Sequence, residues 1–213
     1  MKIERNHFRF EDVVLQHNLS TVKSRSEINT QIQQNGIILD TPVVLSNMPS
    51  CQNEEVLKIF NEQKWPYVYH RMFGNDDIYK FVEKINAENW NLKSISVGVQ
   101  EKDIELLRKI KDAGLKLDWI TVDVALIYNT FHGEIIKQIR QLFPDVYLIA
   151  GNFSNPLTVN WLYDLGVDCG KFNIGVSKLC RTAQYTGFGS TLNDFIETVE
   201  ISKIDLMFDG GLS

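Results

Sequence analysis

Seven short apolar runs, rich in β-branched residues, recur along this chain with amphipathic stretches between them. The runs are Pro42–Leu45, Tyr67–Tyr69, Ser94–Val99, Trp119–Val124, Val146–Ala150, Gly170–Ile174 and Asp205–Phe208. The intervening stretches are Glu54–Gln63, Asp76–Asn89, Glu101–Ala113, Gly133–Leu142, Asn155–Leu165 and Leu192–Ile201. Continuously apolar runs suit strands buried on both faces, and helical spacing between them supplies the cover. In Glu101–Ala113, for example, Ile104, Leu106, Leu107 and Ile110 fall largely on one face, with lysines and acids opposite. The pattern predicts a parallel α/β sheet covered by helices. Seven such units in a row favour a (β/α)8 TIM-type barrel over an open Rossmann sheet, with about seven of the eight strands in this chain. Residues 1–40 are expected to form a loop and hairpin segment packing on the barrel, and residues 41–213 one incomplete barrel domain. Because the sequence stops after the seventh run, closure is expected from a second polypeptide or from self-association; otherwise the chain is a fragment.

Several predicted strands end in polar residues or glycine: Ser46-Asn47-Met48, His70-Arg71, Gly98, Asp123, Gly151-Asn152 and Asp209-Gly210-Gly211. In a barrel these ends converge on the face where catalysis occurs. A second local signal is Lys171 to Thr182, which reads as a buried strand entering a glycine-containing turn that presents Cys180, with Thr182 two residues on. A thiol on such a turn can serve as a nucleophile, and the turn's N–H groups can hold a phosphate. The same residue type also occurs as an inert buried thiol.

Charge and composition exclude several classes. The net charge is −5, against the basic face expected of a nucleic-acid binder. No apolar run approaches the roughly 20 residues a membrane helix needs, and the polar start is not a signal peptide. The three cysteines, Cys51, Cys169 and Cys180, are far apart and fit no zinc spacing, which suits a reducing compartment. A cytoplasmic location without nucleic-acid or membrane partners is expected.

Motifs in a fixed order carry a resemblance. They are Ser20 to Glu27, Pro42-Val43-Val44 with Asn47-Met48, Ser94 to Val99, and Ala150-Gly151-Asn152. Ile174-Gly175 with Lys178 and Cys180-Arg181-Thr182 follow, then Thr186 to Gly189 and Asp209-Gly210-Gly211. Together they resemble the IMP dehydrogenase/GMP reductase family over nearly the whole length. The short connection after His70-Arg71 and the Gly-x-x-Lys-x-Cys-x-Thr form look like the short bacterial GMP reductase type. The resemblance implies NADPH-dependent reductive deamination of GMP to IMP and ammonia through a cysteine adduct at purine C2. The alternatives are a non-catalytic relative that binds a nucleotide or partner, and IMP oxidation on the same scaffold.

By resemblance, Cys180 matches the nucleophile and Thr182 the hydroxyl that helps the amine leave. Asp209 matches the carboxylate for the ribose hydroxyls, with Gly210, Gly211, Gly175 and Lys178 toward the phosphate. Ser46, Asn47 and Met48 line the nucleotide pocket, and Arg71 sits on the purine or ammonia side. Asp123 and Asn152 match the nicotinamide side. Carbonyls of Gly175, Ser177 and Cys180 match a site for a monovalent cation such as potassium. Gly175-Val176-Ser177 departs from the family's Gly-Pro-Gly turn, and Leu126-Ile127 stand where a small polar residue and glycine are expected, narrowing the cofactor cleft. The eighth strand and the segment with a catalytic glutamate lie outside this sequence. Self-association, tetrameric by family, is expected.

Overall fold

The computed structural model describes residues 12–14, 16, 18–174 and 188–210. Its first strands, β1 (Ile32–Gln34) and β2 (Ile37–Leu39), form an antiparallel hairpin turning through Asn35-Gly36. Both turn residues have positive φ, 50° and 80°, the backbone that a two-residue Asn-Gly hairpin turn favours.

Five parallel strands follow: β3 (Ser94–Val97), β4 (Trp119–Asp123), β5 (Tyr147–Phe153), β6 (Cys169–Phe172) and β7 (Asp205–Phe208). They lie side by side in chain order. The helices are α1 (Glu54–Glu62), α2 (Asn75–Ala87), α3 (Glu101–Asp112), α4 (Thr130–Leu142), α5 (Thr158–Asp164) and α6 (Leu192–Ile201). A doubly wound sheet reverses its strand order partway; this one never does, as the wall of a (β/α)8 barrel requires.

Strand alternation separates two cores. Ile95, Val97, Ile120, Val122, Leu148, Ala150 and Phe172 face the helices, where they meet Ile104, Leu107, Ile136, Ile139, Val159 and Leu162. The opposite set, including Trp119, Tyr147, Ile149 and Cys169, packs with Leu39, Tyr67 and Val68. The hairpin thus covers the end of the barrel where the strands begin. Gln34 Nε2 donates to Asp205 Oδ2 at 3.0 Å and Asn35 Nδ2 to the Asp145 carbonyl at 2.7 Å.

Some boundaries differ from the sequence prediction. Pro42–Leu45 and Tyr67–Tyr69 do not form ladders; each contributes single parallel bridges, Leu45 to Tyr67 and Tyr69 to Ile95. Pro42 opens the first run and Pro66 precedes the second, and neither donates an N–H, which limits how far pairing can extend. Helix α5 starts at Thr158, after an Asn155-Pro156-Leu157 turn in which Thr158 N donates to the Asn155 carbonyl at 3.0 Å. A residue before proline avoids helical geometry, so Asn155 stays outside. Strand β5 runs on to Phe153, beyond Ala150.

Candidate functional site

At the C-terminal ends of the strands, one buried lysine organises the charged side chains. Lys171 on β6 is 7% exposed. Its Nζ lies 3.3 Å from Asp123 Oδ1, 3.2 Å from Asp209 Oδ2 and 3.3 Å from Asn47 Oδ1. The register explains the meeting. Asp123 ends β4, Lys171 is two residues past the start of β6, and Asp209 directly follows β7. All three point to the barrel interior. Between β4 and β6, Gly151 leaves room for the lysine stem: a Cβ there would stand 2.3 Å from the Lys171 carbonyl oxygen and 2.5 Å from its Cβ.

Further contacts extend the network on both sides. Arg71 Nε donates to the Asp123 carbonyl at 3.1 Å and lies 3.5 Å from Asp123 Oδ2. Asn152 Nδ2 donates to Asp209 Oδ2 at 2.6 Å and to the Asn173 carbonyl at 3.0 Å. Asn173 is buried, with a φ of 114° that side-chain-bearing residues rarely adopt. Its amide donates to the carbonyls of Asp209 and Gly210 at 3.1 and 2.8 Å, so the strained residue holds the Asp209-Gly210 turn. Charges therefore alternate along Arg71, Asp123, Lys171 and Asp209, which offsets the desolvation of a buried ammonium.

The Ser46–Met48 segment is tied in from below. Gln52 is 8% exposed and donates to the carbonyls of Ser46 and Val68 at 2.8 and 2.7 Å, while its Oε1 accepts from His70 N at 3.3 Å. Burial lowers the His70 pKa from the ordinary imidazole value, with Asp77 opposing. Met48 remains half exposed.

The structure thus brings Asn47, Arg71, Asp123, Asn152 and Asp209 into one network. Gly210 joins it through Asn173, while Ser46 is held by Gln52 against the Val68 and His70 backbone, beside the network. Gly175, Ser177, Lys178, Cys180, Thr182 and Gly211 lie outside the described residues, and with them the expected cation site and the expected nucleophile. Lys171, Asn173 and Gln52 were missed as functional candidates. Lys171 carried the one usable signal, a lysine inside an otherwise apolar strand. Ile127 does not crowd this face: it is fully buried in the helix-side core, and its N–H donates to the Asn152 carbonyl at 3.0 Å, while Leu126 is 37% exposed. The prediction of a cleft narrowed by both residues is corrected for Ile127.

A cavity of about 580 Å³ lies elsewhere, at the N-terminal ends of β5 to β7, beside Tyr147, Asp168 and Asp205. That end of a barrel serves stability. There Tyr147 Oη donates to Asp205 Oδ2 at 2.7 Å. Burial pushes the neighbouring Cys169 thiol up to about 12, which removes it as a nucleophile near neutral pH. Gly170 beside it leaves space for the Phe153 ring, 3.1 Å from where a Cβ would be. The Cys169-Gly170 pair is a packing device.

Comparison with known proteins agrees with the fold. Residues 7–213 match the model of the IMP dehydrogenase/GMP reductase domain. The GMP reductase of Staphylococcus carnosus is 36% identical over 183 residues, 86% of this chain and 56% of the relative. That of Staphylococcus epidermidis is 34% identical over 208 residues, 96% of this chain and 63% of the relative. The chain thus spans less than two thirds of the length of these relatives. The inosine 5′-monophosphate dehydrogenase of Legionella pneumophila superposes with a TM-score of 0.82 at 24% identity, over 98% of this chain and 63% of that one, which establishes the barrel fold.

Proposed function

Because the chain belongs to the IMP dehydrogenase/GMP reductase family, we propose that it forms the nucleotide-handling part of a GMP reductase. The observation that carries the proposal is the strand-end network, in which Asp209 and Asp123 flank Lys171. The relatives named GMP reductase, at 34% and 36% identity, favour reductive deamination over IMP oxidation.

In this proposal Asp209 accepts hydrogen bonds from the ribose hydroxyls, since a carboxylate gives a vicinal diol two directional acceptors. The Asn152 amide orients that carboxylate. Asn173 holds the Asp209-Gly210 backbone turned toward the ligand, and Gly210, where a Cβ would meet nothing within 4 Å, leaves space for the phosphate. Asn47, with Ser46 and Met48 beside it, borders the nucleotide.

Asp123 and Asn152 are assigned to the nicotinamide end of NADPH, where the carboxylate of Asp123 can accept from a carboxamide N–H; both N–H groups of Asn152 are engaged by Asp209 and Asn173, so its side-chain oxygen is the group it would offer. NADPH, when bound, supplies the hydride. Cys180, as thiolate, forms a bond to purine C2, and the C2–amine bond breaks as ammonia leaves with a proton passed by way of Thr182. Once that hydride had replaced the sulfur at C2, the bond from Cys180 to C2 would break, freeing IMP and restoring the thiolate. Arg71, paired with Asp123, sits where ammonia departs. A monovalent cation at the carbonyls of Gly175, Ser177 and Cys180, cytoplasmic residence and a homo-oligomeric working form, or one completed by a second polypeptide, complete the proposal. Among the described residues no helix is long and apolar enough to cross a membrane.

The test combines GMP binding with turnover. GMP is expected to bind the folded chain, and any GMP-dependent NADPH consumption with equimolar ammonia release is expected to vanish in Cys180→Ala while binding persists. A folded chain that binds no GMP, or a Cys180→Ala variant that still turns over, overturns the proposal.

A further inference from the structure

We propose that Lys171 is a shared counter-ion that couples the diol-side carboxylate Asp209 to the cofactor-side carboxylate Asp123, so that occupancy of one side is felt on the other. The inference deepens the GMP reductase reading and rests on it for the identity of the two ligands; the charge coupling itself rests on geometry alone.

An ammonium has three N–H donors, and three acceptors surround Lys171 Nζ: Asp123 Oδ1, Asp209 Oδ2 and Asn47 Oδ1, at 3.3, 3.2 and 3.3 Å. These distances sit at the long end for N–H···O contacts. The ammonium is therefore stationed between the two carboxylates and belongs fully to neither. Its stem is held by burial and by the close approach of Gly151, which leaves the head group as the movable part. Asp209 has a second donor, Asn152 Nδ2 at 2.6 Å, and Asp123 has Arg71 Nε at 3.5 Å from its other oxygen. A hydroxyl donating to Asp209 competes with the lysine for the same negative charge. The ammonium then shifts its weight toward Asp123, in a site shielded enough for the change to count. Linkage makes the effect reciprocal: a ligand that engages Asp123 returns the lysine to Asp209. Lys171 is a positioning residue, acting on ligands through the two carboxylates.

The test reads the side-chain carboxyl resonance of Asp123 by NMR on the whole chain. Asp209→Asn removes one competitor and hands the lysine to Asp123. The double variant Lys171→Met with Asp209→Asn removes the lysine as well, and it deletes one charge of each sign, which favours folding. The Asp123 resonance is expected to move to opposite sides of its wild-type position in these two variants. GMP added to the wild type is expected to move it in the direction that Asp209→Asn does. An unmoved resonance in Asp209→Asn, or displacement of both variants to the same side, overturns the coupling. GMP that perturbs neither Asp209 nor Asp123 overturns the GMP reductase reading, while the two variants still decide the coupling.

Discussion

At the level of single residues, the candidate site is a problem of placing opposite charges where water is scarce. Lys171 is buried, and its ammonium is accommodated because Asp123, Asp209 and Asn47 converge on it. Asp209 was legible in the sequence because an acid before two glycines at a strand's end is a distinctive pattern. Its partner Asn152 was legible as an amide after Gly151 at the end of a predicted strand, but Lys171 was read as part of a strand. A lysine within a strand ordinarily snorkels to the surface, and nothing local reveals that two carboxylates await it. The consequence for ligand binding follows from Asp209. Asp209→Ala removes a charged acceptor and is expected to weaken GMP binding by about 1.5–3 kcal/mol, a loss of roughly tenfold or more, as measured by calorimetric titration. Unchanged affinity would return Asp209 to the role of a turn residue.

At the level of elements, the helices were the most legible part. Leu192–Ile201 was predicted with the observed bounds, and Glu101–Ala113 differs by one residue from α3. Helix α3 also carries a capping box between Gln100 and Asp103, which fixes its start. The first two apolar runs failed as strands because the prolines at their starts and their short length leave little ladder to form. Strand pairing raises the matter of Gly151. Its missing Cβ is required by the approach of Lys171 on the neighbouring strand, 2.3 Å from the carbonyl oxygen. Because the obstructing atom is backbone, it cannot simply rotate away. Gly151→Ala is expected to cost roughly 1–3 kcal/mol or more in stability by urea unfolding, and to displace Lys171. Wild-type stability in this variant would mean that β5 and β6 separate with little cost.

For the whole molecule, the strand order and the hairpin matter most. The parallel strands advance without reversal, and the hairpin covers the end opposite the charged network through Leu39, Gln34 and Asn35. Removing residues 1–40 is expected to uncover the interior around Tyr147 and Trp119, with increased binding of a hydrophobic dye and loss of a sharp thermal transition. A sharp transition without dye binding would show that the barrel end is stable uncovered. Periodicity and turn chemistry act over a few residues, so the chain's own sequence determined its α/β class, its helices and the acids and amides that end its strands. The shared hold of Lys171 on Asn47 and Asp123, 124 and 48 residues away along the chain, was decided only by tertiary structure. It depends on the register of three strands and on the space left by one glycine, and neither is written in any local pattern.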